Sequence, residues 1–226
     1  MSNEIADVEI KKKSEPLFSK KNKKLVTNPL DIDNPITVQV LGICSALAIT
    51  SQVKPALVMT AGLTFVTVFS NVFVSLMRNS IPSRIRIIVQ LAVVSVFVIL
   101  VDQLLKAYVY DMSKLMSVYV GLIITNCIVM GRLEAFAMSN KPWPSLLDGL
   151  GNGLGYGLIL IAVAFFRELL GSGTLFKGFP FEWRVFESMG VHYQGNGLLL
   201  LPAGACILLG VIIWVQRAIN GYRETH

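Results

Sequence analysis

Histidine is nearly absent from this 226-residue sequence, and its two copies, His192 and His226, fall outside every long apolar stretch, so haem ligation by histidine within a membrane has no candidate. Charge is scarce as well. Only 15% of residues are charged against 54% apolar, and mean hydropathy is +0.63, which excludes an ordinary soluble domain of this length. No G-x-G-x-x-G follows a strand-like run, so a dinucleotide fold is excluded. Residues 1–35 hold no apolar core of the kind a cleaved signal peptide needs. Three cysteines are too few for the four thiolates of an ordinary iron–sulfur cluster.

What is present is apolar length. A hydrocarbon core of ~30 Å takes ~20 residues of helix, and runs of that order lie at about 36–53, 56–77, 85–110, 116–131, 149–170 and 197–219. The chain reads as an all-α polytopic membrane protein with six transmembrane helices. A basic tail at 1–35 precedes the membrane domain at 36–219, and residues 220–226 follow it. Seven lysines between Lys11 and Lys24 supply most of the net charge of +6 and read as a solvated tail near anionic lipid, not as a nucleic-acid footprint. Fourteen Lys and Arg fall on the side of the termini and six on the other, which predicts cytoplasmic termini, although the tail alone accounts for most of the difference.

Three spans per half make an odd number, so two related halves, about 36–110 and 116–219, would enter the membrane from opposite faces as an inverted repeat. Aligning Cys44 with Cys127, 83 residues apart, puts a short, polar-interrupted span first in each half. From Ser117 to Arg132 there are only about 14 residues, ~21 Å of helix, which is short of a full crossing and predicts a half-helix. The first helix of each half is therefore expected to be short or broken.

Cys44 and Cys127 are the residues of most interest. A thiolate is a soft ligand for iron–sulfur clusters, whereas a buried cysteine often acts only as a small hydrophobe, and both readings stand on the residues alone. A disulfide is disfavoured in a chain without a cysteine framework. Cys206 has no counterpart in the other half and reads as packing. Asp148 reads as the N-cap of the fifth span, with a role in ion-path electrostatics as its second candidate reading. Asp102, after the run Leu91 to Val101, is a candidate for ion-path electrostatics, with pairing to Lys106 four residues on as the simpler role. Arg167 and Glu168 read as the close of the fifth span, in contact with a partner or with headgroups. The glycines at 149, 151, 153, 155 and 157 allow close helix approach along two ridges, and the aromatic loop from Phe176 to Tyr193 reads as an interfacial belt.

The stretches Gln39–Ala48, Arg86–Gln90, Val101–Tyr108, Gly121–Arg132, Glu134–Met138 and Phe165–Gly173 closely resemble the D-subunit family of the Na⁺-translocating NADH:quinone oxidoreductase, across about residues 34–219. The wider family includes the E subunit of the ferredoxin:NAD oxidoreductase complex called Rnf; Val101–Tyr108 and Gly151–Gly157 look more like the quinone-reductase version. The resemblance implies a [2Fe–2S] cluster shared with a homologous E subunit, two cysteines from each, with Cys44 and Cys127 at the family's ligand positions. It further implies a six-subunit complex of the bacterial inner membrane in which other subunits bind the flavins, NADH and quinone, and no complete active site in this chain. An inverted-repeat solute carrier and a purely architectural subunit are the competing classes.

Overall fold

The computed structural model describes residues 25–30, 33–82, 84–108, 121–175, 183–184 and 197–219. The lysine cluster Lys11–Lys24, both histidines, residues 220–226 and all of the aromatic loop except the backbone of Trp183–Arg184 lie outside the described residues. After a 3-10 turn at Asn28–Leu30, the helices are α1 (Ile43–Ile49), α2 (Val53–Met77), α3 (Arg86–Tyr108), α4 (Cys127–Arg132), α5 (Pro142–Ser172), α6 (Gly197–Leu200) and α7 (Pro202–Ile219). A π-helical turn, Leu133–Ala137, continues α4, and Thr174–Leu175 pairs antiparallel with Trp183–Arg184.

Among the described residues three helices, α2, α3 and α5, are long and apolar enough to cross a membrane. At ~1.5 Å per residue, the 31 residues of α5 reach roughly 46 Å. The helix starts seven residues earlier than the apolar run suggests because Pro142 stands in its first turn, where the missing N–H has no helical partner to lose. It stops at Gly173, whose left-handed φ of 70° suits a residue without Cβ.

The helices at Cys44 and Cys127 are short, as the sequence pattern predicts. α1 has seven residues and α4 six, the latter preceded by a helical turn at 121–124 and a break at Thr125–Asn126. The last span departs from the continuous helix expected. It breaks at Leu201, between α6 and α7, because Pro202 can neither donate an N–H nor leave the residue before it free to take helical angles.

The core lies between α2 and α5. Gly149, Gly153 and Gly157 meet Val68, Thr64 and Thr60 in turn, and a Cβ at position 153 would stand 3.0 Å from the Cα of Thr64. Only hydrogen at these positions lets the two backbones come so close. The Thr60 and Thr64 hydroxyls donate back to Ala56 O at 2.8 Å and Thr60 O at 2.7 Å, so they bring no unpaired donor into the interface. Gly151 and Gly155 face the opposite way and receive the backbone of Leu25, Val26 and Pro29. There Asn34 Nδ2 donates to Gly155 O at 3.0 Å. Pro29, Asn34 and Pro35 are buried, so the stretch read as a solvated tail is docked on α5 from Leu25 onward. α3 packs on α2 through Val94, Val98 and Val101 and turns Ile87, Ile88, Val96 and Ile99 outward, an apolar face suited to lipid.

Candidate metal centre

Both short helices carry a cysteine in their first turn. Cys44 is the second residue of α1 and Cys127 the first of α4, and both thiols are free and exposed. Neither serves as a buried packing residue within this chain. Cys206 is exposed on α7 as well, so its reading as packing does not hold.

The turn into α1 is unusual. Val40 has a φ of 57°, which a β-branched side chain takes only under strain, and Gly42 follows at 76°. A Cβ at Gly42 would lie 2.8 Å from Ile128 Cδ1 and 3.2 Å from a ring carbon of Tyr156, so this turn packs onto both α4 and α5. α4 begins with a cap: Asn126 Oδ1 accepts from Ile128 N at 3.1 Å. The same asparagine donates through Nδ2 to Ser45 Oγ at 3.1 Å, and Ser45 Oγ lies 2.8 Å from the hydroxyl of the fully buried Tyr156. The two cysteine-bearing turns are thus directly bonded to each other. Ser45, Asn126 and Tyr156 carry no residue-type signal of metal chemistry, and only the folding of the chain reveals them.

Four charged groupings lie on these and neighbouring elements. Arg167 and Glu168 lie inside the protein, each 1% exposed, and not at headgroups. Arg167 Nη1 donates to Thr50 Oγ1 at 2.6 Å and Leu47 O at 3.3 Å, where α1 ends. Its Nε donates to Leu199 O at 3.0 Å and its Nη2 to Leu200 O at 2.7 Å, two carbonyls beside the break before Pro202. Glu168 Oε2 accepts from Val53 N at 2.7 Å, at the start of α2. Carbonyls from helix ends thus meet the cation and an orphan amide meets the anion, which is the sense a helix dipole favours.

Asp148 is not an N-cap, since Lys141 holds that position and α5 is already under way at Pro142. Buried at 1% exposure, it pairs through both carboxylate oxygens with Arg132 (Nε to Oδ2, 2.9 Å) and accepts from Asn152 Nδ2 at 3.1 Å. A cavity of about 210 Å³ opens beside it, lined also by Asp33 and Gln39. On the π-helical turn Glu134 pairs with Arg86 and accepts from Gln90 Nε2 at 3.0 Å. Asp102 is paired with Lys106 at 2.5 Å, the simpler of its two roles.

Among the described residues no cluster of three or more His, Cys, Asp or Glu is placed to hold a metal ion. Two exposed soft thiols on adjoining turns suit half of a four-thiolate set. Residues 22–213 match the model of the family described as Rnf-Nqr subunit, membrane protein. The chain belongs to this family. Among curated members, the D subunit of the Na⁺-translocating NADH-quinone reductase of Photobacterium profundum is 58% identical over 202 residues, covering 89% of this chain and 95% of the relative. The protein of the same name from Aeromonas hydrophila is 59% identical over 195 residues, with 86% and 91% covered. That from a Shewanella species is 56% identical over 199 residues, with 88% and 93% covered. As an Rnf-Nqr family member the chain is a membrane protein, in keeping with its three membrane-length helices.

Proposed function

We propose that this chain is the D subunit of a Na⁺-translocating NADH:quinone reductase of the bacterial inner membrane. In this reading Cys44 and Cys127 hold half of an intramembrane [2Fe–2S] cluster, and the homologous E subunit supplies the other two thiolates. The observation that carries it is the bond between the cysteine turns, Asn126 to Ser45 at 3.1 Å, with both thiols left exposed. When bound, the cluster supplies one-electron transfer. This chain's own part is to hold two thiolates at the meeting point of two half-helices. Flavins, NADH and quinone belong to other members of a six-subunit complex. Iron analysis and low-temperature EPR of the intact purified complex, compared with cysteine variants, test the assignment.

In the same reading the membrane domain holds six spans in two inverted halves, with α1 and α4 as the corresponding half-helices and both termini cytoplasmic. Reporter tags on the two termini are then expected to stay inaccessible from outside intact cells; labelling of either one rejects this topology.

Asp148 and Asp102 are proposed as electrostatic elements of the cation path, Asp148 because it borders a polar cavity and Asp102 because it sits beside the buried face of α3. An anionic carboxylate in a poorly screened setting attracts a cation. Asp102→Asn is expected to preserve the cluster and raise the Na⁺ concentration needed for half-maximal turnover. Restoration by neutralising Lys106 as well would reduce Asp102 to its ion pair, and an unchanged sodium dependence would remove it from the path.

A further inference from the structure

We infer that Ser45, Asn126 and Tyr156 are positioning residues that fix the relative placement of Cys44 and Cys127 and tune the group they hold; this rests on the ligand reading above. A serine hydroxyl has one proton to donate and two lone pairs to accept with. Ser45 Oγ spends its proton on Gly42 O at 2.9 Å and accepts from Asn126 Nδ2 at 3.1 Å. The contact of 2.8 Å to Tyr156 then has one polarity: the tyrosine hydroxyl donates. Three bonds saturate the serine, and the donor order is determined throughout.

The network brackets both cysteines. Cys44 stands between Gly42 and Ser45, and Cys127 between Asn126 and Ile128, whose N–H is held by Asn126 Oδ1 at 3.1 Å. Ser45 and Asn126 are 4% exposed and Tyr156 is fully buried, while the thiols face outward. The polar frame therefore lies behind the sulfurs. A polar cluster within apolar surroundings is costly unless fully bonded, and once fully bonded it is stiff. Tyr156 anchors that frame to α5, between Gly155 on one glycine ridge and Gly157 on the other, so the placement of both thiols is referred to the longest helix. Hydrogen bonds around metal-bound sulfur set ligand orientation and reduction potential.

The test uses the assembled complex with Tyr156→Phe, which keeps the ring and removes the donor, and Ser45→Ala, which removes the hub; Ser45→Thr retains a hydroxyl and serves as the conservative variant. Two quantities are read: the midpoint potential from an EPR-monitored redox titration, and, in iron-depleted membranes carrying Cys206→Ala, the rate at which a short bis-maleimide bridges Cys44 and Cys127. Tyr156→Phe and Ser45→Ala are expected to retain iron, shift the potential and slow bridging several-fold, with Ser45→Thr near wild type. Unchanged potential and bridging in both variants overturn the inference, including when less complex accumulates, since that would be a capping role alone. If Ser45→Ala does not accumulate, Tyr156→Phe decides by itself. A Cys44→Ala complex that keeps its cluster signal rejects the ligand reading, while the bridging rates still judge the positioning.

Discussion

Alanine at Cys44 or at Cys127 is expected to abolish the intramembrane cluster signal and NADH-driven quinone reduction together, while Cys206→Ala leaves both unchanged. Losing one thiolate of four leaves an iron without a ligand, and an exposed alanine methyl cannot substitute. The two cysteines should fail alike, because each stands in the first turn of a half-helix and the two turns are bonded to each other. The control is a sensitive one, since Cys206 is a free, exposed thiol too and differs only in its place on α7. Iron content, EPR and turnover of complexes purified in parallel provide the check. A Cys44→Ala complex with full iron and full turnover would remove the basis of the functional assignment.

Arg167→Met is expected to prevent stable incorporation of the subunit into the membrane complex. Methionine matches much of the arginine's volume but donates nothing, so Leu47 O, Leu199 O and Leu200 O lose the donors they have now. Leaving a buried carbonyl unsatisfied costs roughly 1–3 kcal/mol, and three of them exceed what one side chain's packing returns. Arg167→Lys should rescue only in part, because an ammonium cannot span the α1 end and the α6 break at once as the planar guanidinium does. Subunit abundance in solubilised membranes and the heat resistance of the complex report the effect; wild-type values for Arg167→Met would show that the helix ends do not need this residue.

How much of this was legible in the chain follows from the kind of signal each feature leaves. Hydropathy located α2 and α3 to within a few residues, because a lipid-length apolar run admits few alternatives. The short helix at Cys127 was visible as a span too brief to cross, and the one at Cys44 as a short, polar-interrupted span. The glycine ridges were visible as spacing, though spacing could not say that one ridge takes α2 and the other the segment from Leu25 onward. The start of α5 was missed because Pro142, Trp143 and Pro144 interrupt hydropathy without interrupting a helix. The burial of Arg167 and Asp148 was missed for a related reason: a charge near the end of an apolar run reads as a boundary until its partners are known, and Arg132 for Asp148 and Leu47 for Arg167 lie on other elements, 16 and 120 positions away. Ser45, Asn126 and Tyr156 are ordinary polar residues whose importance arises only from closure of the fold.

The glycine spacing of α5 bears on how the helix keeps its axial register. Gly149, Gly153 and Gly157 present the same notch at four-residue intervals, and Thr60, Thr64 and Val68 supply matching knobs at the same interval. A slide of about one helical turn, ~6 Å at ~1.5 Å per residue, would seat two of the three knobs in the next notch along. Interlocking of side chains thus distinguishes the native alignment from its nearest neighbour only weakly. The decision falls to two polar pins from α2, Asn71 Nδ2 to Ser145 O at 3.2 Å and Ser75 Oγ to Asn140 O at 2.6 Å, both of which are lost by any such slide.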